Sequence, residues 1–599
     1  MRLKYILILI LIILLATFVL SLRDLNNDIW EKNNLIKSLN FKKLESSQQQ
    51  KYLSNKSKLN KLFGYRIMYI CSNESLPILY KLEGSVQKCP DNYTVAVGKY
   101  RNAQNETGWG ILEVETFPNF PVEMQAYAAG LVEGLLTKVQ IHYHYLNTVS
   151  QLCKNAKEYC LKLFNYLKLN LEWIESQVMS NPPTDLYWRH VNLTYTQLTG
   201  IQDGYGPEKQ FYLSRVRFAI TPILKIQMAG DFFDLDRVFK KLKLNYSSNN
   251  HCSGFVKVLE GNKDILISHV TMLGYKSMNR MLKLYKLAYD PKEVPGHTIS
   301  ISSYPGSVTS QDDFSLTSGG LGILETTITL SDESIYSNIN PIGQLNCWLR
   351  SFIANQLTKT SHEWVLIFGR FNSGTLNNQW MVLDYKLFKP GEELPKNDLF
   401  WILEQIPGTT VSRDMTWFLR KYNYWPSYNI PFLKKISDLG GFTEKANINN
   451  WWRWGYSPRA KIFQRDHNKV KDMETLRELM RYNDYKHDEY SKCKCDPPYT
   501  ADGGISTRSD LNPLNGTWEL PDMGFKNEGT IDYKGTNYKL FNKFQFEVIG
   551  GPIHGGPSNL PPFNWKNTTI DALHFGQPII WKFKNFTIEW QTELESIII

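Results

Sequence analysis

The sequence lacks the signatures of several common hydrolases and nucleotide-binding proteins. It contains no Gly-x-Ser-x-Gly, no His-Glu-x-x-His and no Gly-x-x-x-x-Gly-Lys-Ser/Thr motif, so the usual serine lipase, zinc protease and P-loop classes lack support. Cysteine is scarce, at 8 of 599 residues. The pair Cys493-Lys494-Cys495 has no His or Cys partners at zinc-ligand spacing. We therefore expect neither a metal nor another cofactor.

Long apolar runs are also scarce, because only residues 5–22 reach the length of a membrane span. This stretch carries no charge, consists mostly of Ile, Leu, Val, Phe and Ala, and follows Arg2 and Lys4. Such a pattern is typical of a secretory signal peptide, although ~18–20 apolar residues also suffice for an uncleaved anchor. We predict a signal peptide or signal anchor at residues 1–22 and a soluble protein beyond it. The destination is then secretion or the lysosome.

Nine Asn-x-Ser/Thr sequons agree with passage through the secretory pathway. An Asn-rich composition also produces such triplets by chance, so their weight comes from the combination with the apolar N-terminus. The predicted glycosylation sites are Asn55, Asn73, Asn92, Asn105, Asn192, Asn245, Asn515, Asn567 and Asn585.

The net charge of +10 is concentrated in one segment. Residues 32–61 contain eight lysines and one glutamate, together with a Ser/Gln run at 46–50. This composition predicts a solvated Lys/Asn/Gln-rich linker at residues 23–62. The linker could touch anionic membrane surfaces transiently, and nothing in the sequence favours nucleic acid as a partner.

The eight cysteines allow about 105 full pairings, so the sequence cannot fix their connectivity. Proximity favours Cys71–Cys89, Cys153–Cys160 and Cys493–Cys495 as disulfides and leaves Cys252 and Cys347 unpaired. For Cys347 the simple interpretation is a buried, inert thiol. A Cys252–Cys347 disulfide is the alternative, and it would exclude a catalytic role for Cys252.

Cys252 begins the apolar run 252–259, directly after the polar residues 247–251. A turn at 261–264 and a second apolar run at 264–270 predict a β-hairpin. If the 251–252 bond were cut, Cys252 would become a chain terminus. Its new α-amino group, with a reference pKa of about 7.7–8.0, could serve as the base for its own thiol.

Further motifs resemble the phospholipase B-like family, also called the lamina ancestor family. The resemblance extends from about residue 64 to residue 583. The matching motifs are Asn250-His251-Cys252-Ser253, Ser303-Tyr304-Pro305-Gly306, Asp312-Asp313-Phe314, Glu325-Thr326-Thr327, residues 372–385, Trp425-Pro426-Ser427-Tyr428-Asn429, Ser457-Pro458-Arg459-Ala460, Met480-Arg481-Tyr482-Asn483, residues 505–511 and Pro562-Phe563-Asn564-Trp565.

This resemblance implies an α+β fold, the four-layer αββα sandwich of the N-terminal nucleophile hydrolases, with an N-terminal extension. Periodicity predicts strands at 252–259, 264–270, 323–330, 363–369 and 379–387, and helices within 122–146 and 155–180. The hydrolase unit would consist of an upstream chain, 63–251, and a nucleophile-bearing chain, 252–599. Apolar burial should keep the two chains associated after cleavage.

The resemblance also implies a mechanism. The Cys252 thiol attacks the carbonyl of His251, hydrolysis of the thioester frees the Cys252 amine, and the thiolate then forms an acyl-enzyme with an acyl lipid. His269 and Thr271 lie on the strand predicted to pair with that of Cys252. Asn429 and Arg459 fall in family motifs where similar enzymes place an amide and a guanidinium near the oxyanion.

Each of these side chains also has a structural interpretation. His269 could be a hydrogen-bonded core histidine, Asn429 and Arg459 could be structural, and Glu325 and Thr326 could belong to an ordinary polar strand face. Residues 451–454, with three tryptophans, could form a lipid-facing surface or a core patch.

We therefore predict a phospholipase B-like hydrolase that removes fatty acyl chains from phospholipids. Two alternatives remain open, an N-acyl amide hydrolase of the same fold and a catalytically weak lipid-binding glycoprotein.

Overall fold

Two large β-sheets, a small two-stranded sheet and the surrounding helices form the compact unit Tyr65–Ile599. The computed structural model describes residues 64–73, 76–84, 88–90, 92–208, 210–212, 216–240 and 251–597, and leaves the side chains of residues 73, 76–78 and 251 undescribed. The predicted signal segment 1–22, the linker 23–62 and the sequons at Asn55 and Asn245 lie outside this part of the chain. The proposed boundary between residues 251 and 252 falls inside the unit.

The strands are β1 (Arg66–Asn73), β2 (Leu76–Glu83), β3 (Thr94–Ala103), β4 (Trp109–Thr116), β5 (Phe211–Tyr212), β6 (His251–Val258), β7 (Ile265–Gly274), β8 (Arg280–Lys286), β9 (Thr298–Ser303), β10 (Phe314–Thr317), β11 (Leu321–Thr327), β12 (Asn378–Asp384), β13 (Phe400–Ile406), β14 (Thr409–Asp414), β15 (Tyr424–Ser427), β16 (Glu528–Thr530), β17 (Asp532–Asn537), β18 (Glu547–Gly550), β19 (Phe563–Asn564), β20 (Ile580–Trp581) and β21 (Phe586–Thr587).

The α-helices are α1 (Gln104–Thr107), α2 (Val122–Leu136), α3 (Lys138–Thr148), α4 (Lys157–Ser180), α5 (Leu186–Tyr205), α6 (Pro222–Gln227), α7 (Phe232–Val238), α8 (Cys347–Leu357), α9 (Ser361–Phe368), α10 (Thr416–Tyr422), α11 (Lys434–Leu439), α12 (Phe442–Ile448), α13 (Pro458–Asp466), α14 (Met473–Met480) and α15 (Tyr538–Phe541).

The larger sheet has 12 strands in the order β14-β13-β12-β11-β10-β9-β8-β4-β3-β1-β2-β5. Strands β4 and β8 pair in parallel, with Trp109 opposite Arg280 and Glu115 opposite Lys286. All strands of this sheet that precede residue 251 lie on one side of that pairing, and all strands that follow it lie on the other. The β4–β8 pairing therefore joins the two halves of the chain.

A buried ion pair strengthens this junction. Lys283 of β8 donates to Glu133 of α2 over 2.6 Å, and the Tyr285 hydroxyl donates to the same carboxylate over 2.6 Å. The side chains of Lys283 and Glu133 are fully buried. Because a buried charge without its partner is costly, this contact ties the upstream helix to the downstream half of the sheet.

The smaller sheet has the order β15-β6-β7-β17-β18-β21, with β16 added beside β7. The two sheets pack against each other so closely that glycine is needed at their contact. A Cβ added at Gly254 of β6 would lie 2.7 Å from Cε of Met381 in β12. One at Gly322 of β11 would lie 2.7 Å from Ile267 of β7. Aliphatic and aromatic residues of both sheets share one core. The structure is thus an α+β sandwich, as the sequence predicts at that level.

Helices pack on both sheets. In the upstream half, α2 packs on β3 and β4, and α5 packs on α2; in the downstream half, α9 packs on β12 and β13, and α14 on β17 and β7. No helix in the described ranges combines the length and the apolar character needed to cross a membrane.

Four of the five strand predictions are confirmed, by β6, β7, β11 and β12. The helical predictions are confirmed by α2, α3 and α4. The strand at 363–369 is wrong, because Ser361–Phe368 is a helix whose first turn is capped by Thr360. Trp364, Val365 and Phe368 of this helix are buried, while Leu366 is exposed. The short apolar run is compatible with both the helical and the strand periodicity of apolar residues. The N-cap at Thr360 favours the helix.

The three predicted disulfides are present: Cys71–Cys89, Cys153–Cys160 and Cys493–Cys495. Cys252 and Cys347 are free and buried. The alternative Cys252–Cys347 disulfide is therefore absent from the described structure, and Cys252 keeps its thiol.

Close contact between α2 and α5 depends on glycine. A Cβ at Gly130 would lie 1.9 Å from the backbone oxygen of Gln197, whereas one at Gly274 would have only ordinary contacts beyond 3.6 Å. We expect Gly130→Ala to lower the unfolding free energy by at least the ~1–3 kcal/mol typical of overpacking. Gly274→Ala is the matched control and should stay within about 0.5 kcal/mol of wild type. Urea unfolding followed by tryptophan fluorescence measures both, and equal midpoints would contradict the prediction.

Candidate active site

Cys252 lies in strand β6 of the smaller sheet, on the face that packs against the larger sheet. It pairs with Thr271 of β7, and one residue further on Ser253 pairs with Val270. The side chain of Cys252 is only 1% exposed. The hairpin predicted from the sequence therefore exists and places the thiol in the interior.

Two side chains distant in sequence hold the backbone of Cys252. Its N–H donates to Oδ1 of Asn429 over 3.1 Å, and its carbonyl oxygen accepts from Arg459 over 2.7 Å. Asn429 in turn donates from Nδ2 to the carbonyl oxygen of Thr327 over 2.8 Å, which orients Oδ1 toward Cys252.

Local structure explains where these two residues lie. Strand β15 pairs with β6, with Ser427 opposite Gly254, so the turn after β15 carries Asn429 to the start of β6. Asn429 has a φ of 69°, a left-handed conformation that asparagine tolerates better than most residues. Arg459 lies in the first turn of α13, where Ser457 caps the helix and Pro458 occupies its first position.

A network of buried charges lies behind Thr271. Lys534 donates to the Thr271 hydroxyl over 2.6 Å and to both oxygens of Asp532 over 2.9 Å. The Thr271 hydroxyl donates to Asp312. Arg280 contacts Asp312 over 2.5 Å and Asp532 over 3.1 Å. Two cations thus balance two carboxylates with almost no solvent exposure.

His269 and Glu325 are two ionisable side chains close to the thiol. One ligand atom of each and the Sγ of Cys252 lie within 4.8 Å of one another. His269 is 0% and Glu325 1% exposed. Among the described residues, neither nitrogen of the His269 ring and neither carboxylate oxygen of Glu325 has a hydrogen-bond partner of normal geometry.

Burial governs the protonation of this trio. It raises the pKa of the Cys252 thiol well above its usual range, and Glu325 and Asp312 raise it further while Lys534 opposes them. Burial, together with Lys534, holds the pKa of His269 well below its usual range. Burial, Asp313 and Asp312 raise the pKa of Glu325 well above its usual range. The thiol and the imidazole are therefore neutral at neutral pH, and burial shifts Glu325 toward its neutral acid form.

The five residues predicted as catalytic, Cys252, His269, Thr271, Asn429 and Arg459, gather at one place. Their roles, and the cleavage after His251, whose side chain lies outside the description, stay predictions. The sequence analysis assigned no role to Asp312, Asp532, Lys534 or Arg280. The available signals were the paired aspartates of the 312–313 motif and the charged residues inside the apolar run of β8.

A small pocket opens beside Asn429 and Arg459. Its cavity volume is about 50 Å³, well below the roughly 300–1,000 Å³ of typical ligand sites. Aromatic and charged side chains alternate in its wall, which is formed by Thr329, Tyr428, Asn429, Ile430, Lys445, Trp451, Trp452, Ser457, Pro458, Arg459, Asp502, Thr507, Asp522 and Lys526. The predicted tryptophan patch is thus divided, since Trp451 and Trp452 line this pocket while Trp454 packs on Trp425 and Phe432.

The protein is a two-sheet α+β sandwich with a free cysteine at the start of an inner strand. Comparison with known proteins shows its family. The family model for Phospholipase B matches residues 96–588. Phospholipase B-like 3 of Caenorhabditis elegans is 48% identical over 540 residues, which cover 88% of this chain and 91% of that protein. Phospholipase B-like 2 of Homo sapiens is 39% identical over 511 residues, covering 83% and 86%. The chain therefore belongs to the phospholipase B family.

We expect Lys534→Met to destabilise the protein strongly, because it leaves Asp532 and Asp312 short of a positive charge in the interior. Loss of one partner of a buried ion pair typically costs about 3–5 kcal/mol. Lys434→Met is the matched control, since Lys434 pairs with Asp438 at the surface, and it should leave the unfolding midpoint unchanged. Denaturant unfolding of both variants measures the difference, and equal midpoints would show that the buried network contributes little.

Proposed function

We propose that this protein is a secreted or lysosomal phospholipase B-like hydrolase that cuts its own chain before Cys252 and uses the freed cysteine to remove fatty acyl chains from phospholipids. In this proposal the sandwich is the αββα fold of the N-terminal nucleophile hydrolases. The observation that carries it is the placement of Cys252: a free thiol at the start of an inner strand, with its own backbone N–H held by Asn429.

Asn429 supports the proposal because it contacts the atom that cleavage would convert. The backbone nitrogen of Cys252 is an amide donor in the intact chain and becomes an α-amine once the 251–252 bond is cut. An α-amine has a reference pKa of about 7.7–8.0, and in its neutral form it can take the proton of the thiol. Asn429 would hold this amine in place, because the Nδ2 of the same side chain donates to the carbonyl oxygen of Thr327.

The protonation of the site fits a precursor that matures later. In the intact chain the thiol is buried and its pKa is raised, so little thiolate is present to react with exogenous substrates. The neutral imidazole of His269 lies within 4.8 Å of the thiol. It could accept the thiol proton during attack on the carbonyl of His251.

The pocket beside Asn429 and Arg459 supports an acyl lipid as the substrate. Trp451 and Trp452 offer apolar surface. Lys445 and Arg459 offer positive charge beside it, whereas Lys526 is paired with Asp502 and Glu528. A phospholipid combines an apolar chain with an anionic phosphate, so this wall suits its polar end. Because the cavity is only about 50 Å³ in the intact chain, substrate entry would require the pocket to widen.

The proposal includes two chains that remain associated. The β4–β8 pairing spans seven residue pairs across the boundary between the two chains, and Glu133 with Lys283 adds a buried ion pair across it. A cut before Cys252 breaks neither contact.

Exposed sequons support the secretory part of the proposal. Asn92, Asn105, Asn515, Asn567 and Asn585 are exposed and Asn192 is half-buried, while the side chain of Asn73 lies outside the description. Exposed acceptors at these positions could carry glycans without disturbing the core.

The decisive experiment compares two buried thiols. We expect wild type and Cys347→Ala to yield a chain that begins at Cys252, whereas Cys252→Ala remains intact, because only Cys252 adjoins the scissile bond. Intact mass and N-terminal sequencing of deglycosylated protein, after incubation at mildly acidic pH, give the answer. Cleavage that persists in Cys252→Ala would refute self-processing.

Turnover then identifies the substrate. The processed wild type should release fatty acid from phospholipid vesicles, and Cys252→Ala should not. Release from an N-acyl amide alone would favour the amide hydrolase. The absence of release from either substrate, despite complete processing, would favour a lipid-binding protein.

Asn429→Ala tests the positioning of the Cys252 amine. We expect it to slow the formation of the Cys252 terminus by about 10²-fold, the loss typical of a misplaced reacting group. Asn170→Ala is the control, because Asn170 is also a buried asparagine that anchors two carbonyl oxygens, those of Pro341 and Gln344, on helix α4. A time course of chain cleavage on gels measures both rates. Equal rates in the two variants would remove Asn429 from the mechanism.

A further inference from the structure

We propose that Cys252, His269 and Glu325 form a binding site for a zinc ion, and that an ion bound there holds the thiol inactive. The second part rests on the proposed function, in which Cys252 is the nucleophile. The first part stands on the geometry of the three side chains alone.

The donor set is the first argument. A thiolate, an imidazole and a carboxylate are the three protein ligand types of zinc, with bonds of about 2.0–2.3 Å. Around one ion such donors lie about 3.3–3.8 Å apart in tetrahedral geometry. The three donor atoms already lie within 4.8 Å of one another. Modest side-chain rotation would therefore close them around a zinc ion, with a water molecule as the fourth ligand.

The unpartnered polar atoms are the second, independent argument. Within the described part of the chain, both carboxylate oxygens of Glu325 are buried without a hydrogen-bond partner, and the His269 ring has no more than a weak hydrogen bond to the backbone of Glu325. A buried polar group without a partner typically costs about 1–3 kcal/mol. Two such side chains that converge on a thiol are a costly arrangement, and one cation would satisfy them together.

Charge balance is the third argument. Arg280 and Lys534 are already balanced by Asp312 and Asp532 through contacts of 2.5–3.4 Å. Zinc binding displaces one proton from the Cys252 thiol and one from the neutral Glu325 carboxyl group to solvent. The bound ion with the resulting thiolate and carboxylate then adds no net charge, since His269 binds as a neutral ring. The interior therefore gains a metal without an uncompensated charge, which burial would penalise heavily.

A metal on Cys252 would occupy the lone pair that the thiolate needs for attack. Zinc would thus hold the thiol inactive toward both the 251–252 bond and an acyl substrate. Removal of the ion would restore reactivity.

The test counts zinc in matched variants of the full glycoprotein. Each protein is treated with chelator, dialysed against Zn²⁺ and then against metal-free buffer, and its zinc is measured by mass spectrometry. We expect about one zinc per chain in wild type, Cys347→Ala and Glu404→Gln, and less than a tenth of that in Cys252→Ala and Glu325→Gln. Cys347→Ala controls for a buried thiol, and Glu404→Gln controls for a buried carboxyl group.

Absence of retained zinc in wild type, or equal zinc in all variants, would overturn the proposal. The first result is expected if only a buried water satisfies these atoms. Co²⁺ provides a readout that does not depend on the folding of a variant: bound at this site, it should give wild type a thiolate-to-cobalt charge-transfer band in the near ultraviolet. Co²⁺ bound without that band would place the metal elsewhere.

Inactivation is tested separately in Cys347→Ala, where Cys252 is the single free thiol. Zinc should slow maleimide labelling of Cys252 at least tenfold, and chelator should restore the rate. Unchanged labelling with zinc bound would refute inactivation but leave the site. The zinc count remains valid even if the chain never cleaves itself, so failure of the proposed function and failure of the metal site can be told apart.

Discussion

Four buried charges join the two sheets directly behind the cysteine strand. Arg280 comes from β8 of the larger sheet, and Asp312 from the segment just before β10 of the same sheet, whereas Asp532 and Lys534 come from β17 of the smaller one. Their contacts of 2.5–3.4 Å cross the interior of the sandwich. Buried ions are tolerated only when geometry pairs them closely. The network therefore fixes how the sheets lie on each other, and with them the position of Thr271 opposite Cys252.

The same network sets the electrostatics at the thiol. Because the four charges cancel, the trio of Cys252, His269 and Glu325 lies in an interior without excess charge, and burial then dominates its proton affinities. Desolvation favours the neutral form of every group. Cys252 is consequently an un-ionised thiol in the intact chain.

The sequence predicts the parts of this site that depend on local pattern. Apolar runs and a turn place Cys252 and His269 on paired strands, and the pleat puts positions 252 and 254 on one face with 269 and 271. Asn429 and Arg459 came from family motifs, because no local pattern brings a turn and a helix to a strand some 200 residues earlier. Lys534 was missed for the same reason: its meaning depends on the pairing of β17 with β7. The strand prediction at 363–369 is wrong because the few apolar residues of the helix Ser361–Phe368 are compatible with both helical and strand periodicity. The capping threonine at 360 favours the helix.

Sheet connectivity explains how such a chain could lose a peptide bond without losing its fold. Strands β1–β5 belong to the upstream segment and β8–β14 to the downstream one, yet they form one continuous sheet through the parallel β4–β8 pairing. Parallel strands need a long crossover, and here that crossover contains helices α2 to α7, strands β5 to β7 and the 251–252 bond. The 251–252 bond is therefore distinct from the β4–β8 ladder that joins the two halves of the sheet. A break within the crossover leaves the hydrogen-bonded ladder and the Glu133–Lys283 pair in place.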